Sequence, residues 1–229
     1  MNSRTIKSKN LKTKLILALD VGDFNQAKYF INKLYPKIKI FKVGCQLFTS
    51  CGPKIIEFIR KKGGEVFLDL KFFDIPNTVA NAVRAATHHR VKMLTLHILG
   101  DEEMIKAAVK AAQQESKKLK IKRPLLIGVT VLTSKEADSS DVLTLAKIGI
   151  ECGLDGIVCS AQEAKFLRQK IKKKFIMLTP GIRPRSICGD DQKRTTTANE
   201  AIRAGSNFLV VGRPILKAND PLKALKELV

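Results

Sequence analysis

VFLDLKFFDIPNTV, residues 66–79, reads as a buried strand that ends in charge and then turns into a helix. Residues 66–68 are apolar and of the types that suit a pleated, covered surface. Asp69 and Lys71 stand two apart near the end of the run, which on a strand puts both side chains on one face. Asp74 follows, Pro76 and Asn77 break the extended pattern, and helical spacing begins at Thr78. A strand that confines its charge to its C-terminal end belongs in a sheet whose chemistry lies along one rim.

The same unit recurs in both directions from this stretch. Apolar, β-rich runs lie at 14–21, 38–44, 66–72, 93–99, 125–133, 156–160, 175–180 and 208–212. Amphipathic runs separate them at 24–34, 53–62, 78–88, 102–120, 141–152, 161–170, 199–204 and 221–228. Several of the strands are apolar throughout, as expected where both faces of a sheet are covered. Eight strand–helix units with no long linker predict an α/β fold, a (β/α)8 TIM barrel in a single domain over residues 14–229. An open doubly wound sheet is the competing architecture, but no glycine fingerprint follows the first strand. A barrel places function at the C-terminal strand ends. Asp20, Lys42, Asp69 with Lys71, His97, Thr133, and Gly212 with Arg213 all fall there, on six of the eight strands.

Lys42, Asp69, Lys71 and Asp74 alternate in sign. In a core they would merely neutralise one another, but at a barrel mouth they form a charged network suited to catalysis. A lysine flanked by two acids stays charged; it can stabilise an adjacent carbanion and then protonate it. Asp69, set beside a substrate carboxylate, disfavours the bound acid before it leaves as carbon dioxide. The preorganised ammonium is the firmer contribution, because it acts on charge that develops in the transition state. Gly212–Arg213–Pro214 follows the last strand, where barrels often hold phosphate. Gly212 lets the backbone approach, and Arg213 offers a bidentate fork. The long loop after the seventh strand adjoins this segment and has the length of a lid or binding loop. From it Arg183 can reach a phosphate, and Gln192 can bridge the phosphate to the rest of a ligand.

Composition narrows the class of function. Lys and Arg total 42 against 21 Asp and Glu, a formal charge of +21, so nucleic acid has to be considered as a partner. The cations are spread along the chain, densest at 117–123 and 170–174, where helices end and a cation meets the helix dipole favourably. There are two Tyr and no Trp, and no aromatics interleave with the basic runs as a base-stacking surface requires. The reading is a solvated basic surface with no specific nucleic-acid partner. Five cysteines without CxxC spacing suggest neither a disulfide framework nor a zinc site, and fit reduced thiols in a cytoplasm. No run approaches the ~18–20 apolar residues of a membrane span. Residues 1–13 are basic and acid-free and read as a flexible tail.

Taken together these segments resemble the orotidine 5'-phosphate decarboxylase family, bacterial type. They are LALDV (17–21), FKVG (41–44), FLDLKFFDIPNTV (67–79), GVTVLTS (128–134), LTPGIRP (178–184), the stretch 190–197 around Gln192, and VVGRPI (210–215). The resemblance covers nearly the whole chain, and its specificity lies in the order and spacing of the segments. It implies decarboxylation of orotidine 5'-monophosphate to UMP in pyrimidine biosynthesis, with no metal and no organic cofactor. By position it makes Lys71 the proton donor and sets Asp69 beside the departing carboxylate, with Lys42 and Asp74 completing the network. It assigns Asp74 to the neighbouring subunit's site, and hence implies a homodimer. Asp20 and Lys42 would hold ribose hydroxyls, and Thr78 would lie near the phosphoribosyl group. Thr133 would contact the pyrimidine, Gln192 would link its edge to the phosphate, and Arg183, Gly212 and Arg213 would bind the phosphate.

Two positions depart from the family pattern. Phe73 stands where bacterial members usually carry histidine, which reads as a packing difference. HILGD at 97–101 replaces the usual HASGG, which changes the loop after the fourth strand. His88 and His89 end a helix and read as surface residues. A competing activity is that of Mg-dependent sugar-phosphate decarboxylases and aldolases of the same superfamily. These share the aspartate–lysine–aspartate motif but place an acid near the position of Lys42, where a cation opposes metal binding.

Overall fold

The computed structural model describes residues 14–131, 138–184 and 195–228. Seven strands, β1 (Lys14–Ala18), β2 (Ile40–Gly44), β3 (Glu65–Phe72), β4 (Met93–His97), β5 (Leu125–Val129), β6 (Gly156–Val158) and β7 (Ile176–Thr179), lie side by side in chain order. A two-stranded excursion follows, β8 (Ile182–Arg183) paired with β9 (Thr196–Thr197). The last strand, β10 (Phe208–Val211), then closes the ring between β7 and β1. All pairings are parallel; closure runs from Lys14 opposite Phe208 to Leu17 opposite Val211. This is the (β/α)8 barrel expected from the sequence.

The helices α1 (Phe24–Leu34), α2 (Cys45–Cys51), α3 (Lys54–Lys61), α4 (Pro76–His88) and α5 (Asp101–Lys118) cover the first half. The second half carries α6 (Ser139–Glu151), α7 (Ala161–Lys170), α8 (Ala198–Arg203), α9 (Arg213–Leu216) and α10 (Pro221–Glu227). Their starts are written locally. Pro76 opens α4, where a missing N–H costs nothing, and Asp23 caps α1 by accepting from Gln26 N–H. Ser160 with Glu163 and Thr197 with Glu200 form capping boxes on α7 and α8. Each long helix buries one stripe, as α4 does with Val79, Ala80, Val83 and Ala86.

Two hydrophobic layers result. The larger lies between sheet and helices. The smaller fills the barrel itself with residues such as Ile16, Ile40, Phe67, Met93, Ile127 and Leu178. Phe67, 2% exposed, gains about 1.5–3 kcal/mol from burial, and with its neighbours forms a solid floor beneath the C-terminal rim.

Several boundaries differ from the sequence reading. α2 was not anticipated: CQLFTSC has no clear apolar period, and the helix follows Gly44 directly and stops at Gly52, whose φ is +57°. β5 ends at Val129, and 132–133 of the expected strand lie outside the described residues. After β4, HILGD forms a 3-10 turn over Ile98–Gly100. Its substituted side chain is accommodated by two glycines: a Cβ at Gly128 or Gly149 would meet Ile98 Cδ1 at 2.6 or 2.8 Å. Ile98 therefore buries to 2% exposure, in a hole that glycine leaves open. His89 caps α4, while His88 Nε2 lies 2.8 Å from Oε1 of Glu115, whose side chain is 8% exposed. His88 is thus a surface residue set beside a buried acid. Among the described residues no helix is long and apolar enough to cross a membrane.

Candidate active site

The C-terminal ends of the strands surround a cavity of about 250 Å³. Its floor is the top of the inner core, Ala18, Phe67, Leu178 and Val210. Its walls carry Asp20, Lys42, Asp69, Lys71, Arg183, Gly212 and Arg213, so seven of the residues singled out in the sequence meet on one cavity.

Four of them form a continuous chain of opposite charges. Lys42 Nζ lies 3.0 Å from Asp20 Oδ1 and 3.4 Å from Asp69 Oδ2. Lys71 Nζ lies 3.0 Å from the other Asp69 oxygen, Oδ1. The inner members are the most enclosed: side-chain exposure is 13% for both Lys42 and Asp69, against 36% for Lys71 and 55% for Asp20. Burial alone would push the Asp69 carboxyl up, but Lys42, Lys71 and Thr95 hold it below the usual carboxylate range. Burial likewise works against the Lys42 ammonium, yet Asp69 and Asp20 keep its pKa above the ordinary lysine value. The pair is therefore ionised across the physiological range. Gly44 preserves the geometry, since a Cβ there would come within 3.1 Å of Lys42 Nζ.

Alternation along a strand does not by itself explain how Asp69 and Lys71 meet. Leu68 pairs with Leu94 and Phe72 with Leu96, so β3 bulges between them. Lys71 sits in the bulge with φ 49°, a left-handed conformation that is costly for a residue with a Cβ. Thr95, on β4 and fully buried, pins the bulge. Its Oγ1 accepts the Lys71 backbone N–H at 2.9 Å and donates to Asp69 Oδ1 at 2.9 Å. Sequence reasoning passed over Thr95, although a hydroxyl inside the apolar run MLTLH, level with the charged end of its neighbour, was a usable signal. One hydroxyl thus sets both the backbone of the lysine and the carboxylate beside it.

Arg183, on β8, is 6% exposed, and its Nη1 donates to its neighbour's carbonyl, Ile182 O, at 3.0 Å. Gly212 and Arg213 follow β10, next to Asp20: a Cβ on Gly212 would contact Asp20 Oδ2 at 3.4 Å. His97 ends β4; burial, and then the Lys71 charge, hold its pKa below the ordinary histidine value. Phe73 does not bury. It is 60% exposed and lies against the His97 ring at 5.6 Å between centroids.

Asp74 and Thr78 are not brought into this cavity. Both are exposed, and Asp74 Oδ1 accepts the N–H of Ile75 at 2.7 Å. Thr133 and Gln192 lie outside the described residues, as does the tail 1–13.

A sequence profile of the orotidine 5'-phosphate decarboxylase / HUMPS family matches residues 13–228. The orotidine 5'-phosphate decarboxylase of Coxiella burnetii is 46% identical over 226 residues, covering 93% of this chain and 94% of its own. That of Trichlorobacter lovleyi is 44% identical over 229 residues, covering 95% and 94% respectively. The crystal structure of orotidine 5'-phosphate decarboxylase from Lactobacillus acidophilus matches with a TM-score of 0.83 at 35% identity, over 94% of this chain and 97% of that one. Likeness this extensive is carried by the whole barrel rather than by one motif, and the chain belongs to the orotidine 5'-phosphate decarboxylase / HUMPS family.

Proposed function

We infer that the chain is an orotidine 5'-phosphate decarboxylase, converting orotidine 5'-monophosphate to UMP in pyrimidine biosynthesis. The observation that carries the mechanism is the chain Asp20–Lys42–Asp69–Lys71 along one wall of a cavity whose rim also holds Arg183 and Arg213.

The C6–carboxylate bond breaks, carbon dioxide leaves, and the electron pair stays on C6. The Lys71 ammonium, already fixed by Asp69 at 3.0 Å, stabilises that charge without reorganising. It then gives C6 its proton and regains one from solvent through its 36% exposed side chain. Asp69 stays anionic and faces the substrate carboxylate, while Lys42 and Asp20 keep it in place and hold the ribose hydroxyls. Arg183, Gly212 and Arg213 take the phosphate, with Thr133 on the pyrimidine and Gln192 between the two. Phosphate binding, remote from C6, supplies energy that positions the ring and lowers the barrier.

The protein acts as a homodimer in this account, with Asp74 completing the partner's site. Asp74 and Thr78 stand outside their own chain's cavity, beside apolar side chains left in the open: Phe73 is 60%, Ile75 66% and Leu99 58% exposed. Such a patch is suited to burial against a second copy of itself. Cytoplasmic location is part of the proposal and is supported by the free thiols of Cys45, Cys51, Cys152 and Cys159.

The family name also covers another branch, and Mg-dependent sugar-phosphate chemistry is the second reading. Lys42 weighs against it. Its ammonium lies between Asp20 and Asp69, at 3.0 and 3.4 Å, where a divalent ion shared by those carboxylates would sit.

Mixing two inactive variants tests site and dimer together. Lys71→Ala and Asp74→Ala should each lose turnover of orotidine 5'-monophosphate. After subunit exchange the mixture should recover up to about a quarter of wild-type activity per site, because half the dimers are mixed and each has one intact site. No recovery after exchange is demonstrated would contradict the shared site. Substantial turnover by Lys71→Ala alone would contradict the role of the lysine.

A further inference from the structure

In a parallel barrel the helices that return the chain from one strand to the next end at the same face, opposite the catalytic rim. Here the last turns carry Lys33 on α1, Arg60 and Lys61 on α3, Lys117 and Lys118 on α5, and Arg168 and Lys170 on α7. The loops that follow α4 and α5 add Arg90, Lys92, Lys120, Lys122 and Arg123. Charge that is scattered along the sequence is therefore gathered by the topology at one pole.

Part of this charge serves the helix dipoles, but two features exceed that need. The residues just past the caps of α4 and α5 are Arg90 and Lys120, with φ of 53° and 52°. Glycine or asparagine is the usual choice in that left-handed position, so two cations are kept there at a cost in backbone energy. The pole is also concave. A cavity of about 540 Å³ opens among Lys14, Arg60, Arg90, Lys92, Lys122 and Arg123, with Glu65 the sole acid on its wall. Glu65 is taken up by Lys92, and Arg123 is held by Asp155, whose second oxygen accepts the Leu126 N–H at 2.8 Å. Among the described residues, Lys14, Arg60, Arg90 and Lys122 have no carboxylate within ion-pair distance. Four unneutralised cations around a hollow with low-dielectric walls focus a positive potential into it.

We propose that this cavity is a second ligand site, which takes a compact polyanion of clustered phosphates such as inorganic tripolyphosphate or the triphosphate of a nucleotide. The volume suits a small ligand. Recognition is through charge: the one aromatic on the wall, Phe208, is 8% exposed and offers no stacking platform for a base. The site is separate from catalysis, since six residue steps of roughly extended chain, about 20 Å, lead from Lys14 to Asp20.

The test is calorimetric titration of the full chain with tripolyphosphate, with UMP saturating so that the catalytic phosphate site is closed. Binding should persist and should weaken with added salt. Adenosine triphosphate should bind comparably and adenosine monophosphate much more weakly. Arg90→Glu with Lys122→Glu should reduce affinity for tripolyphosphate by at least about tenfold and leave UMP binding unchanged. If that pair fails to fold, Lys122→Glu alone, at an exposed position, should still cost about threefold. Absence of tripolyphosphate binding, its displacement by UMP, or its indifference to these substitutions would overturn the proposal. So would binding of a single-stranded oligonucleotide through Arg90 and Lys122 without binding of tripolyphosphate, which would make the pole a nucleic-acid surface.

Discussion

Thr95→Val removes one hydroxyl from the barrel and almost no volume. In the wild-type chain that oxygen donates to Asp69 Oδ1 and accepts from the Lys71 amide, both at 2.9 Å. A hydrogen bond to a charged group contributes about 1.5–3 kcal/mol, and an enclosed N–H left without a partner costs about 1–3 kcal/mol. The better burial of a methyl at this fully enclosed position returns about 0.8 kcal/mol, so the net loss of stability should be roughly 2–5 kcal/mol. Urea unfolding followed by circular dichroism measures it. The functional effect should be larger in kcat than in KM. Lys71 holds φ 49° only because the bulge is pinned, and once released it leaves the place where the carbanion forms. Misplacement on the order of 1 Å costs about a hundredfold. Thr95→Ser, which keeps the hydroxyl, should recover most of that loss although it deletes a buried methyl. If Thr95→Val turned over orotidine 5'-monophosphate at close to the wild-type rate, or if Ser failed to rescue, the hydroxyl clamp would not be what positions the lysine.

Two further perturbations separate the parts of the site. Arg213→Ala should raise KM by roughly 10- to 100-fold, the value of a charged hydrogen bond to phosphate, and lower kcat less; the reverse pattern in steady-state kinetics would remove Arg213 from phosphate binding. Asp69→Asn should destabilise the protein at neutral pH by leaving Lys42 and Lys71 unneutralised. Because the folded carboxyl lies below its ordinary 3.8, its contribution is present above that value and is lost as pH falls through the lower, folded one. The stability gap between wild type and Asp69→Asn should therefore narrow in acid below about pH 4, and a gap that stays constant in urea titrations there would contradict the assigned ion pair.

The barrel was legible in the sequence because its signal is redundant. Eight apolar runs each repeat the message, and misjudging the end of one, as at β5, changes nothing in the ring. The rim was legible for a related reason: in a parallel barrel a polar residue ending an apolar strand has only one place to be. What escaped depends on non-local geometry. Thr95 acts across a strand pair, and its meaning rests on a bulge in β3 that no residue in DLKFF announces. Arg183 reads as a loop residue, yet the short β8–β9 pair buries it. The charge of the chain reads as scattered until the topology sends the ends of the returning helices to one pole. Asp74 and Thr78 show the limit from the other side, since neither lines the catalytic cavity among the described residues of its own chain.

The central claim is that this cavity decarboxylates a pyrimidine nucleotide by means of its own lysine. The direct measurement is the ultraviolet absorbance of orotidine 5'-monophosphate after addition of the wild-type protein, with a chelator in excess throughout. The expected result is prompt loss of the substrate's absorbance, UMP as the product, and a rate indifferent to the chelator. Unchanged absorbance, or loss that appears only when magnesium is restored, would contradict it and favour the metal-dependent branch.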